Sequence, residues 1–260
     1  YKNFWPANVH IIGKDILRFH AIYWPAFLMA AKIPLPKRVY GHGWILSDDK
    51  KMSKSLGNIL DPIEIINNFG VDQLRYYLSK EVSLGNDGNI SFKNLTNCIN
   101  NDLANNYGNL CQRVFAYINK NCNSKIPSCN KLEEEDKKLN NQIIESLSEL
   151  RSLMDNQELN RYLKKVINFS FNANKYFNDQ KPWSLKEKNP ERMNTILYVI
   201  LNQIRSISVL LNPIIPKATE KVLSILSVEK TDIKIDSLKD PKKLKVGTIL
   251  KKSDILFEKI

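Results

Sequence analysis

Short apolar runs alternate with amphipathic stretches through the first eighty residues. "VHIIG", residues 9–13, reads as a strand, Ile16 to Ala31 as a helix, and "RVYGHGWIL", residues 38–46, as a second strand. Helical "PIEIINNF" and "DQLRYYLSK" follow. Strands and helices alternating at this spacing predict a parallel α/β sheet. Such sheets bind ligands at the carboxyl ends of their strands, where "GKD" and "GHGW" both fall. From Asn94 to Val228 the apolar positions recur at helical period, with proline confined to breaks such as "KPW" and "NPIIP", which predicts an all-α helix bundle. "EVSLGNDGNISFKN" between them reads as a turn-rich connector carrying a β element. The polar, broken tail "TDIKIDSLKDPKKLKVGTILKKSDILFEKI" reads as an extended strap packing back on the core. The division is therefore 1–81, 82–93, 94–228 and 229–260.

Charge narrows the partners. The chain holds 260 residues, 43% of them hydrophobic, enough for a sizeable core. Its 39 Lys and Arg against 27 Asp and Glu leave a formal +12, which favours a polyanionic partner such as nucleic acid or a membrane surface. No apolar run approaches the roughly 18 residues a membrane span needs, and "YKNFWPANVH" is no signal peptide. A soluble, cytoplasmic protein without a membrane partner is expected. Cys98, Cys111, Cys122 and Cys129 form no C-x-x-C pair and have no histidine nearby, so no metal ligands are assigned and reduced thiols are expected. The abrupt opening into a strand reads as the back part of a longer protein.

The stretch "DDKKMSKSLGN", Asp48 to Asn58, gathers Lys50, Lys51 and Lys54 with Ser53 and Ser55 before a glycine. Ammonium and neutral donors in one short loop suit a triphosphate whose charge must be met as it develops. A basic turn alone would equally be a solvated loop. The string "KMSKS" resembles the signature loop of class I aminoacyl-tRNA synthetases, and "GKDILRFHAIYWPAFLMA", Gly13 to Ala30, is similar to the methionyl-tRNA synthetases. The resemblance implies a Rossmann-like nucleotide-binding half. In it Lys54, with Lys51, Ser53 and Ser55, serves catalysis at the ATP phosphates. Gly13, Lys14 and Asp15 approach the adenosine, His42, Gly43 and Ile45 contact adenine, and Phe19, His20 and Trp24 line a methionine pocket. Without the resemblance, His20 beside Phe19 and Trp24 reads as a satisfied core histidine. "HIIG" differs from the His-Ile-Gly-His partner motif of that family, and none of His10, His20 or His42 supplies it. The first half of the nucleotide fold is therefore expected to be absent, with any Zn²⁺ site belonging to that half.

"NNYGNLCQR" repeats Asn105, Asn109 and Arg113 every four residues, which on an α-helix places two amides and a guanidinium on one face. Such groups can read unpaired RNA bases, although a polar stripe of this kind is commonly a solvated face. By resemblance these residues read the CAU anticodon, with Trp183 of "DQKPWSLK" stacking on a base. Lys175, Lys181, Lys186 and Lys188 read as general basic decoration. The expected whole is a methionine–tRNA ligase using ATP, Mg²⁺, methionine and tRNA(Met), monomeric, with this portion catalytically incomplete. A stand-alone tRNA-binding module and one polypeptide of a split synthetase remain as alternatives.

Overall fold

Three β-branched residues at Val9, Ile11 and Ile12 start strand β1 (His10–Gly13), which pairs in parallel with β2 (Val39–His42), Gly13 facing His42. The chain between them crosses as a helical segment, the connection parallel strands require. The computed structural model describes residues 1–47, 50–52, 61–252 and 254–260. They fall into two units, Tyr1–Asp61 with Glu81–Ser91 and Pro62–Lys80 with Phe92–Ile260.

Two details of the first unit differ from the sequence reading. The crossover is not one α-helix over Ile16–Ala31. It runs as a 3₁₀ turn (Lys14–Ile16), a π turn (Phe19–Tyr23) and α1 (Trp24–Ala30). Pro25 lacks the N–H that would bond the carbonyl of residue 21, so the helix re-registers there, and Trp24 N–H reaches back five residues to Phe19 O. "RVYGHGWIL" is also two strands rather than one. β3 (Ile45–Ser47) belongs to a second sheet of order β4-β3-β5, parallel to β5 (Gly88–Ile90) and antiparallel to β4 (Lys50–Lys51). Gly43 lies at the break: a Cβ there would sit 2.1 Å from Asn86 O, so only glycine lets the 86–87 backbone approach.

The second unit is a helix bundle. α8 (Pro190–Leu211) packs against α5 (Asn109–Asn121), α6 (Glu134–Asp155), α7 (Leu159–Gln180) and α9 (Pro216–Ile225). By length and composition α8 could cross a membrane, contrary to the sequence reading, but nearly all of it is buried inside the protein as the bundle's central helix. α2 (Pro62–Phe69) and α3 (Val71–Glu81) belong with this unit up to Lys80, not with the strands. The reason is polar. Arg75 donates to the carbonyls of Pro213 and Ile214, Asp72 accepts from Ala218 N–H at 2.7 Å, and Tyr76 donates to Asp102.

Between α4 (Phe92–Cys98) and α5 the helix widens into a π stretch, Ile99–Gly108. Asn109 N–H bonds Ala104 O, five residues back. A Cβ on Gly108 would lie 2.8 Å from Leu103 O, so glycine admits the wide turn. The tail runs along the bundle. Leu250 N–H bonds Ser124 O, Gly247 N–H bonds Ile126 O, and Asn100 holds both backbone groups of Ile260. The fully buried Arg205 donates to the carbonyls of Ser237 and Asp240 and to Asn202.

Candidate functional site

At the carboxyl end of β1, Asp15 folds back over Gly13: its Oδ1 lies 2.5 Å from where a Cβ on Gly13 would be, with His42 Cε1 at 3.9 Å from the same point. Gly13, Asp15 and His42 thus meet at one strand end, as expected for an α/β sheet. Lys14 leaves this turn to pair with Asp87, Nζ to Oδ1 2.6 Å, and the same oxygen accepts Trp44 N–H at 2.7 Å. The Lys14 hydrogen bond and the Trp44 N–H hold the Asp87 carboxyl below its usual range. Ile45 follows on β3, with Gly43 at the close approach.

The π turn and α1 form one wall of an open concavity of about 720 Å³, with Val9 and β1 contributing the other lining residues. Phe19, His20 and Trp24 all line it, joined by His10, Tyr23 and Phe27. Trp24 Nε1–H points to His10 Nε2 at 3.3 Å, and Trp5 stands edge-on to Trp24. His20 Nδ1 lies 3.0 Å from Ile16 O in its own helix, leaving the ring to the concavity. Aromatic walls carrying a few polar ring atoms suit a largely apolar ligand. Ser53, Lys54 and Ser55 lie outside the described residues, as does the side chain of Lys51, whose backbone closes β4.

In the helical unit, the single α face expected for Asn105, Asn109 and Arg113 holds only for the last two. Asn105 lies in the π stretch, where the wider turn breaks the four-residue alignment, though its side chain is exposed. Arg113 donates to Asn178 Oδ1 at 2.8 Å and lies over the Phe177 ring, 5.2 Å from its centre. Trp183 stands edge-on to that same ring at 5.7 Å. Arg113 and Trp183, seventy residues apart, are therefore gathered on α7. α7 ends at Gln180, Lys181 takes the left-handed conformation (φ 42°), and Pro182 opens a 3₁₀ turn that leaves Trp183 45% exposed. Behind this turn Asp136 accepts from Tyr176 and Arg192, and Arg192 also donates to Gln180.

Residues 126–260 match the model of the anticodon binding domain of methionyl tRNA ligase, and residues 1–115 that of the class I tRNA synthetases (M). The chain belongs to the methionyl-tRNA ligase family. It is 48% identical over 225 residues to a methionine–tRNA ligase of Brucella suis, covering 86% of this chain and 44% of that protein. With that of Rickettsia felis it is 44% identical, covering 99% and 51%. Its fold is similar to Mycobacterium tuberculosis methionyl-tRNA synthetase in complex with methionyl-adenylate, TM-score 0.93 at 38% identity, covering 98% of this chain and 51% of that one. The chain spans about half the length of the curated methionine–tRNA ligases it matches.

Sequence reasoning about this methionyl-tRNA ligase family member passed over Asp87, Phe177 and Asn178. Asp87 lies in "GNDG", which signals only a turn, and its partners are 73 and 43 residues away. Phe177 and Asn178 read as ordinary positions of an amphipathic helix. Nothing local marked His10, on the opposite wall from Trp24, as part of the concavity.

Proposed function

We propose that this chain serves in a methionine–tRNA ligase, which activates methionine with ATP to methionyl-adenylate and transfers it to tRNA(Met). The carrying observation is that two separate clusters, Gly13–Asp15–His42 beside the aromatic concavity and Arg113–Phe177–Trp183 on the bundle, occur in a chain of this family. In this reading Asp15 takes the ribose hydroxyls and the Gly43 backbone lies against adenine. Phe19, His20 and Trp24 enclose the methionine side chain, and Lys54 meets phosphate charge as it develops. Lys51, Ser53 and Ser55 supply further donors. Positioning and electrostatics carry such a reaction without a covalent protein nucleophile. Mg²⁺ arriving with ATP would offset phosphate charge there alongside Lys54.

The exposed apolar face of the crossover, with Phe19, Ile22, Phe27 and Met29 each more than half exposed, supports a further polypeptide region covering it. Such a region could lie on the same chain or on a second one. In the intact ligase carrying this sequence, Lys54→Ala should slow methionine-dependent pyrophosphate exchange far more than it weakens methionine binding. Equal losses in both would contradict the role given to Lys54.

A further inference from the structure

The exposed face of α7 continues from the Arg113–Trp183 cluster toward the helix's amino-terminal end. Lys164, Asn168, Phe171, Lys175 and Asn178 recur at intervals of four, three, four and three residues, and all five are solvent-exposed. On an α-helix that spacing is a single stripe. Asn178, its last member, is the residue that holds Arg113. Phe171 sits midway with 51% of its surface exposed. It opens onto a concavity of about 790 Å³ that Lys164, Lys165, Arg161 and Asn168 share from α7, with Lys80, Asp102 and Glu149 among its other lining residues. Lys165, Arg161 and Lys80 are engaged by Glu149, Glu158 and Asp102. Among the described residues Lys164 and Lys175 face no carboxylate partner within ion-pair distance.

A bundle helix with a solvated outer face would place polar residues along this whole stripe. Instead a large ring stands between Lys164, which shares its concavity, and Lys175 one turn further along the helix, in line with the cluster proposed to read the anticodon. From Asn178 to Lys164 the stripe extends about 21 Å at 1.5 Å per residue. Aromatic rings flanked by cations are how proteins take unpaired bases with their phosphates.

We propose that this stripe binds the RNA that flanks the anticodon triplet, Phe171 stacking a loop base outside the triplet and Lys164 meeting a backbone phosphate. It rests on the reading of Arg113 and Trp183 as anticodon contacts and extends it to nucleotides that carry affinity rather than identity. Stacking adds affinity with little sequence preference, and phosphate contacts add salt dependence without specificity.

The test measures binding of the 260-residue chain to a methionine-tRNA anticodon stem-loop, to the same hairpin with CAU altered, and to one whose loop positions flanking CAU are abasic. Phe171→Ala should weaken the CAU hairpin about ten- to a hundredfold. The ratio between CAU and altered hairpins should stay unchanged, and the loss should vanish on the abasic hairpin. Lys164→Ala should lower the slope of log affinity against log salt by about one. Circular dichroism spectra matching the parent exclude misfolding as the cause. Phe171→Ala and Lys164→Ala both binding like the parent would overturn the proposal. So would a Phe171→Ala loss that persists undiminished on the abasic hairpin. Failure of the anticodon reading itself is a different result: no CAU preference in the parent and none lost in Trp183→Ala, whatever Phe171 does.

Discussion

Asp87 Oδ1 accepts from two donors at once, Lys14 Nζ at 2.6 Å and Trp44 N–H at 2.7 Å. One oxygen thereby ties the turn after β1 to the turn before β3, the two segments given to adenosine. Lys14 and Asp87 are each substantially exposed, so the ion pair itself contributes little to stability. Its effect is positional. Asp87→Asn should leave the thermal midpoint of this chain nearly unchanged while lowering the affinity of the intact ligase for ATP. A drop in midpoint without any change in ATP affinity would make Asp87 structural only.

Gly43 and Gly41 offer a matched pair. An added Cβ at Gly43 meets Asn86 O at 2.1 Å and Asp87 N at 2.5 Å, backbone against backbone, whereas at Gly41 its nearest neighbour is Leu17 Cδ1 at an ordinary 3.6 Å. Gly43→Ala should destabilise by about 1–3 kcal/mol as the two backbones are forced apart. Gly41→Ala should be tolerated. Urea midpoints of the two variants, compared with the parent, decide it.

Arg113 places its guanidinium over the Phe177 ring with one nitrogen on Asn178. A lysine keeps the charge but has neither the plane nor the fork. Arg113→Lys should therefore lose nearly as much preference for the CAU hairpin as Arg113→Ala, about 1–3 kcal/mol for a good base contact. Preference fully kept in the lysine variant would reduce Arg113 to a charge.

Asp136 is fully buried and held by Arg192 and Tyr176. Burial alone would raise its carboxyl, but the hydrogen bonds from Arg192, Tyr176 and Glu133 N–H outweigh it and leave it below its ordinary 3.8. A lowered carboxyl stabilises the folded state fully above 3.8, and that stabilisation is lost as pH falls through the lowered value. Removing one partner of a buried pair costs about 3–5 kcal/mol. Asp136→Asn should cost on that order at neutral pH and flatten the acid side of the stability curve. An unchanged acid side would mean Asp136 is not the group responsible.

Much of this was legible in the sequence because local pattern carried it. The strand before Gly13, the amphipathic helices and the proline break at Trp183 are all written within a few residues. The two π segments were not legible. Apolar spacing reads as α period in either case, and what widens the turn is a missing N–H at Pro25 in one place and a missing Cβ at Gly108 in the other. Nor could spacing tell that Gly43 parts two sheets, because the backbone it admits comes from residues 86–87. The strand-end placement of "GKD" followed from pattern and the roles of Asp15, His20 and Trp183 from resemblance, whereas Asp87 and Phe177 needed the folded chain to bring their partners near.

Asp72 receives Ala218 N–H although 146 residues separate them, so a side chain of α3 completes the first turn of α9. Arg75 fastens the carbonyls just before that turn. A shorter expression fragment meant to isolate the RNA-binding bundle cannot start at residue 94 or 126 without cost. Either cut deletes the groups that finish α9, and the cut at 94 also removes Tyr76, a hydrogen-bond donor to Asp102 in the π stretch. The compact unit that holds the bundle begins at Pro62, and in the chain it is interrupted by the 81–91 segment of the other unit.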